Sequence, residues 1–187
     1  MIDTSGIRKN LKIQIDGDPW MVVDFQFVKP GKGQAFTRTK LKNMITGNVI
    51  ERTYKSGEKL EEAFIEEHEM VFLYAQDNVY HFMNNQTYEQ VEMTKDQVGD
   101  AKSYLTENMN VEVLYFNGKP IGITLPNFVE LQIIHTEPAV KGDTVSGATK
   151  IAEVSTGYRL LVPVFINNEE WIVIDTRTGT YVERVRK

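Results

Sequence analysis

The sequence VKPGKGQAF, residues 28–36, joins two runs that read as β-strands, residues 20–27 and residues 36–44. The glycines on either side of Lys32 have access to φ > 0 and allow close approach of the backbone to a partner. The proline before them fixes φ where the chain enters the turn. The loop is therefore predicted to hold Lys32 at an exposed tip. Lysine is a compact charge on a flexible stem and a common target of acyl modification.

The spacing of this loop leaves two interpretations open. It is either an ordinary hairpin loop with a solvated lysine or a loop that positions Lys32 for a function. A nucleotide-binding loop is disfavoured, because the spacing G-x-x-x-x-G-K-[ST] is absent and a strand rather than a helix follows.

The strand after the loop has one basic face. Arg38, Lys40 and Lys42 are two residues apart, and side chains two apart on a strand point to the same side of the sheet. Such a stripe is the footprint expected for phosphate contact, although a solvated strand face explains it equally well. On the strand before the loop, alternation predicts that Met21, Val23 and Phe25 share a face.

Composition limits the chemistry that is open to this chain. It has 187 residues, of which 41% are hydrophobic and 25% charged, and no cysteine, so it is globular and uses neither disulfides nor thiol catalysis. His68, His81 and His135 lack metal-ligand spacing, so no metal site is expected. There is no apolar run long enough for a membrane span and no signal-peptide core, so a cytoplasmic location is expected.

The net charge of −5 hides an uneven distribution. Residues 1–63 carry 11 basic and 8 acidic side chains, residues 64–126 carry 3 and 10, and residues 127–187 carry 7 and 8. Contact with nucleic acid is therefore expected of the first segment, the only one with a positive balance.

The chain reads as short strands separated by turn clusters. Four to five strands in the first segment predict an SH3-like barrel, and strands around a short helix that starts at Thr94 predict an OB-type barrel after it. Further strands from Val129 onward predict a third barrel. We therefore predict a mainly β protein of three tandem small β-barrels, with domains at residues 1–63, 64–126 and 127–187. The first ten residues are expected to be loosely ordered apart from contacts near Ile7.

A weak internal repeat is visible in the second and third segments. Both segments contain a strand–turn–strand run of similar spacing, and the runs end at Thr87-Tyr88 and Thr180-Tyr181. This similarity suggests a duplicated barrel.

Three functions fit these residues when they are taken alone. The first is an RNA-directed factor that places Lys32 at a functional centre, and the second is a generic RNA-binding module of SH3 and OB domains. The third is an enzyme with Lys32 as its nucleophile, which is disfavoured because a nucleophilic lysine needs a pocket or a neighbouring charge. The generic module would favour interleaved aromatic and basic residues on an OB face, and the acidic second segment does not show them.

Four blocks of the chain resemble bacterial translation elongation factor P, in the order that this family has them. They are residues 29–36 with the basic strand that follows, then 142–150, 162–167 and 173–185. The resemblance favours the first function. It implies an N-terminal SH3/KOW-like barrel and two OB-fold barrels in an L shape that mimics tRNA. It also implies a non-enzymatic factor that binds the ribosome between the peptidyl and exit tRNA sites. There the factor stimulates peptide-bond formation and relieves stalling at consecutive prolines.

The same resemblance implies roles for individual residues. Lys32 matches the loop lysine that the family extends after translation, by β-lysylation or another amine extension, and no cofactor or catalytic residue is implied. Contacts with tRNA and rRNA are expected from Lys29, Pro30, Gly31, Gly33, Arg38, Lys40 and Lys42. Contacts of the C-terminal domain are expected from Gly142, Asp143, Thr144, Tyr181 and Arg184.

The pair Tyr181 and Arg184 has a spacing that needs an explanation. Residues three apart lie on opposite faces of a regular strand, so only a twist, a bulge or the end of the strand lets both reach one partner.

The implied partners are both ribosomal subunits, the peptidyl-site tRNA and a lysine-modifying enzyme, with the protein acting as a monomer.

Overall fold

The computed structural model of the protein describes residues 1–139 and 147–186. The chain is mainly β, with curled or barrel-like sheets, as predicted. Contacts group it into two compact units, residues 1–68 with 113–122 and residues 69–112 with 123–187. No helix in the described ranges is long and apolar enough to cross a membrane.

The first sheet has six strands in the order β1-β6-β2-β3-β4-β5. These are β1 (Ile2–Asp3), β2 (Lys12–Ile15), β3 (Asp18–Val28), β4 (Phe36–Asn43), β5 (Val49–Lys55) and β6 (Lys59–Glu62). Its buried core consists of Ile7, Leu11, Ile13, Val22, Leu41, Tyr54 and Leu60.

The expectation of a loosely ordered N-terminus is wrong, although the expected contacts near Ile7 are present, because Ile7 is buried in the core of the first sheet. Strand β1 pairs with β6, with Ile2 opposite Leu60, and a 3-10 turn over Thr4–Gly6 follows it. The Asp3 side chain caps this turn by accepting from the Ser5 amide at 2.8 Å. Sequence pattern missed the strand because two residues are too few to show alternation.

The second sheet has the order β11-β10-β7-β8-β9. Its strands are β7 (Glu66–Gln76), β8 (Val79–Asn84), β9 (Gln90–Thr94), β10 (Asn110–Phe116) and β11 (Lys119–Thr124). Helix α1 (Lys95–Val98) begins after Thr94, as predicted. The Thr94 side chain accepts from the Gln97 amide at 3.3 Å, and the Gln97 side chain accepts from the Thr94 amide at 2.9 Å. This reciprocal capping box satisfies two amides at the start of the helix.

The third sheet has the order β14-β13-β12-β15-β16. Its strands are β12 (Phe128–Thr136), β13 (Thr149–Val154), β14 (Arg159–Pro163), β15 (Trp171–Asp175) and β16 (Thr180–Arg184). The core around it is aliphatic, with Leu131, Ile133, Val154, Val162, Ile166, Ile172 and Ile174 all fully buried.

Each sheet contains a five-residue turn of the same design. The first residue, which is Asn43, Asn84 or Asp175, accepts from the amide two positions on through its side chain and from the amide four positions on through its carbonyl. The fifth residue has φ of +78° at Gly47, +60° at Tyr88 and +72° at Gly179. The repeat in the sequence therefore has a different register from the one predicted, because Tyr88 matches Gly179 and not Tyr181.

Candidate functional site

The Lys32 loop, residues 29–35, is anchored at its base and open at its tip. The Gln34 side chain donates to the Ser56 carbonyl at 3.2 Å, and the Ser56 amide donates to the Ala35 carbonyl at 2.9 Å. Lys32 is exposed, and nothing in residues 1–139 or 147–186 hydrogen-bonds or ion-pairs with its side chain. The ammonium group is therefore free to meet a partner.

The two glycines of the loop have different backbone conformations. Gly33 has φ of +110°, a conformation that side-chain-bearing residues rarely adopt. Gly31 lies outside the left-handed region, and a Cβ added there would have no atom within 4 Å. The freedom to reach φ > 0, which the sequence offered at both positions, is used only at Gly33. Lys29 beside them is exposed and Pro30 is half-buried.

The basic face of β4 is present as predicted. Arg38, Lys40 and Lys42 are exposed and alternate with Thr37, Thr39, Leu41 and Asn43, which are buried. The Arg38 guanidinium lies over the Phe36 ring, 5.5 Å from its centroid, which orients it by a cation–π contact. None of the three cations forms an ion pair with a described residue, so all three are available to phosphate groups.

Acidic neighbours flank the middle of this face, which the sequence alone did not indicate. Lys40 lies directly opposite Asp24 on β3 and Glu51 on β5. Asp24 instead pairs with Lys9 at 3.4 Å. Because carboxylates repel phosphates, Arg38 and Lys42 are better placed than Lys40 to hold an RNA backbone.

A bulge in β3 changes the predicted face of Phe25. The register between β3 and β4 shifts at Val23, so that Val22 faces Leu41 while Phe25 faces Thr39. Phe25 therefore lies on the same side as buried Val22 and not with Val23. The alternation of β3 gave no sign of the extra residue, because a bulge depends on its partner strand.

A second bulge decides how Tyr181 and Arg184 lie. On β15 and β16, Ile174 faces Tyr181 and Ile172 faces Arg184, because the register shifts at Val182. Both side chains consequently point to one side of the sheet, and both line a concavity of about 730 Å³. This bulge is what lets two residues that are three apart in sequence lie on the same side of the sheet.

Arg184 is held by two contacts. Its guanidinium donates to Glu170 Oε1 at 3.2 Å and lies 5.9 Å from the centroid of the Phe165 ring. Burial raises the pKa of Tyr181, which favours the protonated hydroxyl, a hydrogen-bond donor. Phe165, which is exposed and also lines the concavity, was not recognised from the sequence.

The turn that precedes β16 is held by contacts of its own side chains. Arg177 donates to both carboxylate oxygens of Asp175, at 3.0 and 2.8 Å, and this hydrogen bonding lowers the pKa of Asp175. The Arg177 guanidinium also lies 5.3 Å from the centroid of the Phe128 ring.

Gly142, Asp143 and Thr144 lie outside the described residues. Within the described ranges, no group of three His, Asp or Glu side chains is arranged to hold a metal ion.

Three family models match successive parts of the chain. Residues 3–60 match the elongation factor P (EF-P) KOW-like domain, residues 65–123 the EF-P OB domain, and residues 129–184 the C-terminal region of elongation factor P.

Curated relatives match over the full length. Elongation factor P of Syntrophus aciditrophicus is 53% identical over 186 residues, and that of Desulforapulum autotrophicum is 53% identical over 187 residues, with 100% of both chains covered in each case. Elongation factor P of Moorella thermoacetica is 52% identical over 98% of this chain and 100% of its own.

A solved structure resembles the fold at low identity. Eukaryotic translation initiation factor 5A from Methanococcus jannaschii is 24% identical and superposes with a TM-score of 0.53, covering 66% of this chain and 93% of its own. This likeness concerns the fold alone. The family matches and the full-length relatives together show that the chain belongs to the elongation factor P family and is a translation elongation factor.

Proposed function

We propose that this factor binds the ribosome between the peptidyl and exit tRNA sites and stimulates peptide-bond formation where consecutive prolines stall it. The observation that carries the proposal is the position of Lys32, whose side chain pairs with none of the described residues, at the tip of a loop whose base is hydrogen-bonded to the β5–β6 turn. The exposed cations of β4 adjoin that loop and support contact with the tRNA backbone. The family of the chain supports a role in translation.

The factor supplies positioning, and the ribosome supplies the chemistry. Holding a slow proline donor in a reactive geometry recovers part of the entropic barrier to reaction. A gain of about 3 kcal/mol corresponds to a rate increase of about a hundredfold. A flexible lysine reaches farther when it is extended, so we propose that Lys32 carries an added amine, by β-lysylation or another extension.

We also propose contacts of other residues with tRNA and the ribosome. Lys29, Pro30, Gly31 and Gly33 would shape the loop against tRNA, and Tyr181 with Arg184 would meet the small subunit. Gly142, Asp143 and Thr144 would contact RNA near the exit site. We propose that the protein acts as a cytoplasmic, non-enzymatic monomer with domains at residues 1–63, 64–126 and 127–187.

The test combines a polyproline reporter with a ribosome-binding assay. We expect Lys32→Ala and Lys32→Arg to fold and bind ribosomes but to lose most of the rescue, because arginine keeps the charge without accepting the acyl extension. Lys29→Ala should have a milder effect. Lys119→Ala serves as a control, since Lys119 is an exposed lysine of the same unit that lies on β11 of the second sheet. Full rescue by Lys32→Ala would overturn the proposal and favour a generic RNA-binding module.

A further inference from the structure

Among the described residues, the Lys32 loop is hydrogen-bonded to the first sheet through one residue, Ser56. The Gln34 side chain donates to the Ser56 carbonyl at 3.2 Å, and the Ser56 amide donates to the Ala35 carbonyl at 2.9 Å. Residues 29–33 form no hydrogen bond within the described part of the chain. Gln34 is therefore the anchor nearest to Lys32, two positions further along the chain.

The carbonyl that accepts from Gln34 belongs to a turn that other contacts hold in place. Within this turn the Glu58 carboxylate accepts from the Lys55 amide at 2.9 Å. The Gly57 amide donates to Thr4 Oγ1 at 3.0 Å, so the N-terminal 3-10 turn also supports it. Because the acceptor is fixed beforehand, a hydrogen bond to it restricts the loop rather than moving the turn.

The tip of the loop has little else to restrict it. Gly31 and Gly33 flank Lys32, and glycine has the widest choice of backbone conformations. A Cβ added at Gly31 would meet no atom within 4 Å, and one at Gly33 would meet only Pro30 of the same loop, at 3.8 Å. The direction of Lys32 therefore depends on the anchor at Gln34 more than on packing.

We propose that Gln34 is a positioning residue for Lys32. Its hydrogen bond to the Ser56 carbonyl selects the loop conformers in which the Lys32 side chain points away from the sheet in one direction. The inference rests on the proposed function, in which Lys32 helps to hold the proline donor in a reactive geometry. Gln34 itself touches neither the donor nor the acceptor of the reaction.

The expected size of the effect follows from the strength of one hydrogen bond. Gln34 is exposed, and the bond is between neutral groups, so its net contribution is modest. Losing it should lower the ratio of anchored to unanchored loop by about threefold to tenfold. Rescue of proline-stalled translation should then fall by about twofold or more, because only the anchored fraction presents Lys32 correctly.

The experiment compares two substitutions of Gln34 in the full-length factor. Gln34→Met has a side chain of similar length that cannot donate, whereas Gln34→His keeps an Nε2–H donor and is largely neutral at about pH 7.5. Gln14→Met is the matched control, since Gln14 lies on β2 of the same sheet and its side chain hydrogen-bonds to none of the described residues.

Three readouts are measured for each variant: backbone ¹⁵N order parameters at residues 31–33, polyproline rescue, and ribosome affinity. Gln34→Met should lower the order parameters and the rescue while leaving ribosome affinity within about twofold of the parent, because the exposed cations of β4 remain. Gln34→His should restore both readouts towards the parent, and Gln14→Met should change neither. The thermal unfolding of all three variants should match the parent.

Four results would overturn the inference. They are unchanged order parameters in Gln34→Met, unchanged rescue in Gln34→Met where Lys32→Ala loses it, a Gln34→His variant as impaired as Gln34→Met, and a loss of ribosome affinity in Gln34→Met that matches the loss of rescue. The last of these would make Gln34 a direct RNA contact. Failure of the proposed function looks different, because Lys32→Ala would then keep full rescue whatever Gln34→Met does.

Discussion

The Tyr158 hydroxyl donates a hydrogen bond of 2.9 Å to the Gly179 carbonyl, and the same hydroxyl occupies the space that a Cβ at position 179 would need. The Tyr104 ring packs against Tyr158 with 5.1 Å between centroids, and the Tyr104 hydroxyl lies 3.0 Å from that Cβ position. Two tyrosines therefore close the turn before β16, and they leave room only for a glycine at position 179.

Gly179→Ala should destabilise the protein by about 2–4 kcal/mol, as the sum of a left-handed backbone cost and an overpacked contact. The measurement is the urea-unfolding free energy. Gly157→Ala isolates the backbone part, because Gly157 has φ of +85° but no atom within 4 Å of an added Cβ. If both variants are destabilised equally, Tyr158 does not exclude a side chain at position 179.

Stability at alkaline pH should depend on Tyr104. Burial, with a smaller contribution from its hydrogen bond to Tyr158, raises the pKa of Tyr104 from 10.0 to about 12. The neutral form is thus favoured in the folded state, so this stabilisation is complete below pH 10 and is lost as pH rises towards 12.

Urea unfolding between about pH 8 and pH 11.5 tests this dependence. The stability of Tyr104→Phe should fall less steeply with pH than that of the parent. Tyr54 and Tyr181, whose pKa values burial also raises, are common to both proteins and cancel in the comparison. Parallel pH profiles would contradict the assignment.

The basic face of β4 should contribute salt-dependent affinity for the ribosome. The double variant Arg38→Glu with Lys42→Glu should weaken binding and reduce the slope of log affinity against log salt by about 1 for each phosphate that is no longer neutralised. Lys95→Glu with Lys102→Glu makes the same change in net charge on exposed residues of the other unit. Equal effects of the two pairs would show a response to net charge alone.

Lys40→Glu should weaken ribosome binding less than the reversal of Arg38 or of Lys42 on the same face. Its side chain already lies between Asp24 and Glu51, so the local potential is the least positive there. The same titration across salt concentrations ranks the three single variants, and a dominant Lys40 would refute this order.

Arg184→Ala should weaken ribosome association while changing stability by less than about 1 kcal/mol, because its ion pair with Glu170 is partly exposed. Arg159→Ala is the control, since Arg159 forms an exposed ion pair with Glu137 in the same sheet. Unfolding and ribosome pelleting measured together separate the two effects. Unchanged association would make Arg184 a structural residue only.

Local signals were enough to predict much of the fold. The helix start at Thr94 was readable because a capping box is made within four residues. An Asn-Gly pair is a local hairpin signal, and Asn117 and Gly118 take φ of +50° and +74°, as a tight turn between β10 and β11 requires. Pro163 ends the edge strand β14, a position typical of a residue that cannot donate a hydrogen bond to a neighbouring strand.

By itself, the sequence determined the mainly β architecture, the exposed Lys32 tip and the single basic face of β4, because alternation, glycine and proline act over a few residues. Only the tertiary structure decided which faces Phe25, Tyr181 and Arg184 occupy. An extra residue in one strand is defined by its partner strand, so the bulges at Val23 and Val182 have no signature within either strand alone. The cleft lined by Phe25 and Phe27 depends in the same way on β1 and the turn at Ser56, which only folding brings beside β3.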